Sequence, residues 1–177
     1  CHGLFWCRRC NPCCRFSLIV YLPSVFILVI WSHIVKSTAR NQWPGKVVSV
    51  LFGAVTAEVV VALDGGTEVV ASVTVDSAKR MGLESGRDVL VLVKAHMVIL
   101  ALDFDGYVIS ARNQLAGIIS DLKAGPVTTD VTLNFPNGDT VTAAITTESY
   151  QTLGLSVGQN AIALFKSGSV VLAAKKI

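Results

Sequence analysis

Cationic and hydroxyl side chains recur in this sequence in two sets that lie 72 residues apart. Each set has an arginine near a small hydroxyl residue, two hydroxyls ahead of a short predicted helix, and a late lysine. A guanidinium forms paired hydrogen bonds to an oxyanion, and a lysine adds a compact point charge. Free N–H groups at a helix start also favour an anion. Two oxyanion sites are therefore predicted, with Thr38, Arg40, Thr74, Ser77 and Lys94 in the first and Ser110, Arg112, Thr146, Ser149 and Lys166 in the second.

The spacing of these two sets reflects an internal duplication. The segment TARNQWPG at residues 38–45 returns as SARNQLAG at residues 110–117, and the glycines that follow keep the same offset without a gap. A fixed period of this kind indicates one supersecondary unit that was built twice. We therefore predict a first module at 38–102, a linker at 103–109 and a second module at 110–177.

Each repeat has the sequence pattern of a small β module. Short valine-rich runs alternate with glycine or turn residues, and the hairpin signals at 64–66 and 136–138 contain the glycine and asparagine that tight turns favour. One short helix follows the third strand and stops at a glycine. These patterns predict an all-β fold of two tandem OB-like five-stranded β-barrels, each with one short helix. In each unit we expect the fourth and fifth strands to close the barrel together, 88–95 with 98–102 and 160–165 with 169–174.

The leading segment, residues 1–37, differs in composition from the repeats. It is rich in cysteine and arginine, and its apolar run at 16–35 is long enough to span a bilayer although Pro23 interrupts it. A membrane segment, a signal peptide and a segment foreign to the domain all remain open. The spacing of Cys7, Cys10 and Cys13, with His2 nearby, is a weak signal for a metal site because no second cluster follows.

Charge placement argues against nucleic acid as a ligand. The chain has 15 basic and 12 acidic residues, but four of the basic ones precede the repeats, which leaves 11 against 12. Phosphate contacts require a basic face, and base stacking requires exposed aromatics beside it. An enzyme is also disfavoured, because His96 is the only histidine in the repeats and no nucleophile motif or phosphate loop accompanies it.

The repeats resemble the Mop, or molybdenum–pterin-binding-like, domain family, whose members are also called TOBE or molbindin domains. The resemblance covers about residues 38–174. It is carried by the two openings above, by VTVDS at 73–77 and ITTES at 145–149, by the Leu-Gly-Leu and Gly-Leu spacers and by LVKA at 92–95. The opening with Trp43 is similar to the sensor half of the molybdate-responsive transcription regulator.

This resemblance implies where the ligand would bind. Thr38, Arg40 and Lys94 of one module, with Thr74 and Ser77 of a facing module, would surround one oxyanion. The equivalent set in the second repeat would be Ser110, Arg112, Lys166, Ser167, Thr146 and Ser149. Ala95 offers no side-chain donor where Ser167 does, so the two sites are expected to differ in affinity.

The function that we expect from the family is binding of molybdate or tungstate, for storage, homeostasis or sensing, without catalysis. Shared sites between small modules imply a homodimer or a higher homo-oligomer. The location would be cytoplasmic, with membrane anchoring if the leader is genuine. Two alternatives remain open: a regulatory tail of a molybdate transport component or transcription regulator, and an OB-type nucleic-acid-binding module.

Overall fold

The computed structural model describes residues 36–175 of the chain. The leader therefore lies outside the described residues, apart from Lys36 and Ser37, and so do the apolar run at 16–35, His2 and the three spaced cysteines, Cys7, Cys10 and Cys13.

The described residues form ten strands and two short α-helices, arranged in the same order in both repeats. In the first repeat these are β1 (Asn41–Phe52), β2 (Thr56–Leu63), β3 (Glu68–Thr74), α1 (Val75–Arg80), β4 (Asp88–Val93) and β5 (Ile99–Ala101). In the second they are β6 (Asn113–Ala124), β7 (Thr128–Asn134), β8 (Thr140–Thr146), α2 (Thr147–Leu153), β9 (Asn160–Phe165) and β10 (Val170–Ala174). A single 3-10 turn follows β4 at Ala95–Met97, and another follows β9 at Ser167–Ser169.

The strands form where valine-rich sequence alternates between buried and more exposed residues. Along β2, Ala57, Val59 and Val61 are fully buried while the residues between them are half-exposed, as a period of two requires. Buried residues from both repeats belong to one apolar cluster. The predicted all-β fold, with two five-stranded modules and one short helix in each, is confirmed.

The two helices are short elements with defined caps. Thr74 and Thr146 accept a hydrogen bond from the backbone N–H three residues ahead, as predicted for N-caps. Gly82 and Gly154 follow the last turn with φ of 59°, a left-handed conformation that glycine adopts without steric cost. Within residues 36–175 no helix has the length and apolar character that crossing a bilayer requires.

The pairing of the last strand of each repeat differs from the prediction. β4 does not pair with β5; it pairs with β10 from the second repeat, and β5 pairs with β9. The sheet orders are therefore β10-β4-β1-β2-β3 and β5-β9-β6-β7-β8. The two modules exchange their fifth strands, so the expectation that each unit closes with its own pair of strands is wrong.

The register of the exchanged strands explains why the apolar sequence pattern does not predict which strand each one pairs with. Val171 lies opposite Leu92 in the first sheet, and Ile99 lies opposite Leu164 in the second. These are equivalent positions in the repeat, so either fifth strand fits either module. The edges of each sheet also contact each other, β3 with β10 and β8 with β5, so each exchanged strand helps to curl its host sheet toward a barrel.

We expect the exchange to be detectable with one matched pair of substitutions. Leu100 on β5 and Leu172 on β10 are equivalent buried residues, 9% and 6% exposed. Truncating a buried leucine to alanine costs about 2–5 kcal/mol. Leu172→Ala should therefore lower native-state hydrogen-exchange protection more in β4 than in β9, and Leu100→Ala should do the reverse. The opposite pattern would mean that each repeat keeps its own fifth strand.

Candidate functional site

The duplicated Ala-Arg-Asn-Gln motif lies at the start of β1 and β6, where it contacts the opposite module. The side-chain amide of Asn113 donates to the carbonyl of Val70 at 2.9 Å, and its carbonyl oxygen accepts from the Val70 N–H at 2.7 Å. Asn41 makes the same pair of bonds to Thr142, at 2.8 and 2.7 Å. Both asparagines are almost fully buried. These hydrogen bonds satisfy backbone groups of β3 and β8. Both strands lie at the edge of a sheet, where backbone N–H and C=O groups would otherwise lack partners.

The glutamine of the motif holds the chain that leads into the strand. Gln42 Nε2 donates to the carbonyl of Ala39, and Gln114 Nε2 donates to that of Ala111, both at 2.9 Å. Each bond folds the segment that carries the arginine back toward its own strand. The motif therefore fixes the position of the arginine backbone in both modules.

The arginine of the motif reaches across the module boundary to a carboxylate. Arg112 Nη2 donates to Glu58 Oε1 on β2 at 2.5 Å, and Arg40 Nη1 donates to Asp130 Oδ1 on β7. The side chains of both arginines are about half-exposed, so these pairs contribute little to stability. Their main effect is to orient the guanidinium groups along the boundary between the modules.

A cleft of about 420 Å³ opens beside Arg112 at this boundary. Glu58 and Ser72 are opposite each other in the β2–β3 pairing, so the guanidinium that reaches Glu58 also comes near Ser72. The rest of the lining comes from the second module, at the start of β6 and in the 3-10 turn after β9. The complete lining is Ser72, Ser110, Arg112, Lys166, Ser167, Gly168 and Ser169.

The lining residues of this cleft combine positive charge with hydroxyl groups. Arg112 and Lys166 supply two positive charges, and four serines supply hydroxyl donors. Lys166 is exposed and makes no ion pair within residues 36–175. The lining therefore offers hydrogen-bond donors and positive charge. The cleft can hold a small oxyanion.

Four predicted site residues meet in this cleft: Ser110, Arg112, Lys166 and Ser167. The hydroxyls at the helix starts are placed differently. Thr146 Oγ1 donates to Ser149 Oγ at 2.7 Å and accepts from the Ser149 N–H, and Thr74 and Ser77 form the same arrangement. The threonines are the helix N-caps, the serines lie in the first helical turn, and none of the four lines the cleft. Their predicted role in ion binding stays a prediction.

The predicted residues of the first repeat occupy the equivalent place on the other side of the boundary. Thr38, Arg40 and Lys94 are exposed, and Ala95 is buried at the start of the first 3-10 turn. Arg40 contacts β7 of the second module, just as Arg112 contacts β2 of the first.

Three lining residues, Ser72, Gly168 and Ser169, were missed in the prediction from sequence. Strand alternation gives a signal for Ser72, because Val69 and Ala71 are fully buried and Ser72 therefore lies on the other face of β3. The packing of the two repeats decides which module this face contacts, and local sequence patterns do not predict that packing. Ser169 was assigned to a strand, but it ends the 3-10 turn.

Fold and cleft together define a protein of two tandem β modules with a polar cleft at their boundary. The TOBE domain model matches residues 37–100 and 109–172. The chain belongs to the TOBE domain family.

Curated relatives and a solved structure place the chain more closely. It is 38% identical over 141 residues to the molybdenum transport protein ModE of Herbaspirillum seropedicae, covering 80% of this chain and 52% of the relative. It is 41% identical over 154 residues to the molybdenum-pterin-binding protein MopA of Rhodobacter capsulatus, covering 87% and 58%. The chain thus spans little more than half the length of these relatives.

The solved structure is that of the cytoplasmic molybdate-binding protein ModG with molybdate bound. It matches with a TM-score of 0.77 and 39% identity, covering 80% of this chain and 100% of that one. The resemblance to the Mop family and to the molybdate-responsive regulator is confirmed.

The asparagine bridge leads to a stability prediction. Asn113→Asp keeps an acceptor for the Val70 N–H but removes the donor to the Val70 carbonyl and buries a charge. An unsatisfied buried group costs about 1–3 kcal/mol, and more when it is charged. Urea unfolding should show a loss of at least about 2 kcal/mol for this variant. The neighbouring exposed Gln114→Ala is the control and should lose less than half as much. Equal losses would contradict a bridging role for Asn113.

Proposed function

We propose that this chain binds molybdate or tungstate, as a tetrahedral dianion, at the boundary between its two modules. The observation that carries the proposal is the convergence of Arg112, Lys166 and four serines on one cleft. Support also comes from the molybdate-bound ModG structure, which has the same fold at 39% identity. The role is binding for storage, homeostasis or sensing rather than catalysis.

The chemistry of the cleft suits an ion of this charge. A dianion that leaves water must regain its hydrogen bonds and find opposite charge nearby. The guanidinium of Arg112 offers a planar fork of donors, and the ammonium of Lys166 adds a second charge that no carboxylate of residues 36–175 neutralises. Glu58 pairs with Arg112, and an incoming dianion would compete with it for the guanidinium.

Assembly with further copies of the chain is part of this proposal. The hydroxyls of Thr74, Thr146 and Ser149 are exposed at the helix starts, away from the cleft. A second copy of the chain can bring such a pair to the arginine and lysine of the first. We therefore expect a homodimer or a higher homo-oligomer, located in the cytoplasm as its structural neighbour is described to be.

A second candidate role is the sensing part of a larger molybdenum regulator or transport component. It is favoured by one observation: the chain aligns with only 52% of the H. seropedicae ModE relative. An antibody raised against the two modules would report the size of the native protein in cell extracts. A native size near that of the modules alone would favour storage instead.

Titration calorimetry with molybdate tests the proposed function. The wild-type chain should give saturable heat with molybdate. It should respond weakly to sulfate, because sulfate is a smaller tetrahedral dianion and the same donors form weaker hydrogen bonds to it. Arg40→Ala/Arg112→Ala should lose affinity by roughly tenfold or more, since hydrogen bonds to charged groups are worth about 1.5–3 kcal/mol.

The matched control is Lys79→Ala/Lys123→Ala, which removes the same charge from two exposed positions outside the cleft. It should bind molybdate with an affinity close to that of the wild type. Unchanged binding by the arginine variant, or an equal loss in the control, would remove the basis for the assigned cleft.

A further inference from the structure

Two hairpin turns, one from each module, lie against each other. One joins β2 to β3 and the other joins β7 to β8. Asn137 Nδ2 in the second turn donates a hydrogen bond to Thr67 Oγ1 in the first. The carboxylate of Asp139 lies so close to Gly65 that a methyl group on this glycine would stand 2.5 Å from Asp139 Oδ2. Thr67 and Asp139 are equivalent in the repeat, as are Gly65 and Asn137, so each turn contacts the other in the same way.

Asn137 carries a reactive group that its counterpart Gly65 does not have. It precedes Gly138, and this is the only Asn-Gly pair in the sequence. Both residues are exposed. Gly138 has φ of 91°, and beyond its chain neighbours no heavy atom of the described residues lies within 4 Å of the position that a Cβ would take. No side chain therefore hinders approach of the Asn137 amide to the Gly138 nitrogen.

The reaction that this pair permits is deamidation. The backbone nitrogen of Gly138 loses its proton and bonds to Cγ of Asn137, and the bond from Cγ to Nδ2 breaks. Nδ2 leaves as ammonia, and a cyclic imide remains in the backbone. Water then adds to either carbonyl of the imide and opens it to aspartate or isoaspartate. The chain gains a negative charge, and water is the co-reactant.

Three hydrogen bonds of the native structure oppose closure of the imide ring. Asn137 Oδ1 accepts from the Asp139 N–H at 3.3 Å, and Asn137 Nδ2 donates to Thr67. The backbone N–H of Gly138 donates to the carbonyl of Phe135 at 3.0 Å. To close the ring, the Asn137 side chain must leave Thr67, and the Gly138 nitrogen must give up its proton and this bond. Two of the three bonds lie within the hairpin, and the third comes from the opposite module.

We infer that Asn137 is a site of spontaneous deamidation that Thr67 of the opposite module protects. While the two turns are in contact, the amide is held and the reaction is slow. When the turns separate, the amide is released and Asn137 is converted to aspartate or isoaspartate with loss of ammonia. The extent of modification therefore increases with the time for which this contact has been open. The inference is independent of the proposed function.

Peptide mapping of the full chain measures this reaction. Samples are incubated at mildly alkaline pH, which promotes loss of the Gly138 N–H proton, and mass spectrometry then quantifies Asn137 and its two products. Conversion should be about tenfold faster in guanidinium chloride than in native buffer, because unfolding removes three hydrogen bonds that are each worth a factor of about two or more. Equal rates in the two solvents would overturn the inference.

Matched substitutions test the part that Thr67 plays. Thr67→Val keeps the shape of the side chain but removes the acceptor, so it should speed native deamidation by about two- to tenfold. Thr67→Ser keeps the hydroxyl and should react as slowly as the wild type. Thr128→Val makes the same change at an exposed strand position and should leave the rate unaltered. Circular dichroism checks that each variant is folded. An unaltered rate in a folded Thr67→Val, or an equal increase in Thr128→Val, would contradict protection by Thr67.

Discussion

The two-module arrangement depends on a pair of buried amide groups. Asn41 and Asn113 each use both ends of the side-chain amide to satisfy one residue on the outer strand of the opposite sheet. A buried asparagine that lost these bonds would cost about 1–3 kcal/mol, so only one alignment of the modules satisfies both at once. That alignment also sets Arg112 beside Glu58 and Ser72, and the cleft is a result of it.

Comparison of the two repeats distinguishes the contacts that hold the modules together from the residues that line the cleft. Framework contacts occur twice: the asparagine bridges, the glutamine bonds to the preceding loops and the arginine–carboxylate pairs. Most hydroxyls that line the cleft do not: Ser72 and Ser167 correspond to Ala144 and Ala95, although Ser110 corresponds to Thr38. Two regions with one backbone can therefore differ in chemistry without a change in fold.

The features that sequence predicted well are those that depend on near neighbours. Valine alternation and turn residues located the strands, and Thr74 and Thr146 marked the helix caps. The partner of each fifth strand could not be predicted, because β5 and β10 have interchangeable apolar patterns. The same limit applies to the site: Ser110, Arg112, Lys166 and Ser167 were grouped by their repeat. Ser72 joins them only through packing between modules.

The strand exchange couples the folding of the two repeats. A lone repeat would have to fold its fifth strand back on itself or take one from another molecule, at a cost that depends on protein concentration. Joining the two repeats in one chain, through residues 102–112 between β5 and β6, makes that encounter intramolecular, and its effective concentration no longer depends on how much protein is present. The two halves consequently fold together, because the first sheet is incomplete until β10 of the second repeat has been synthesised.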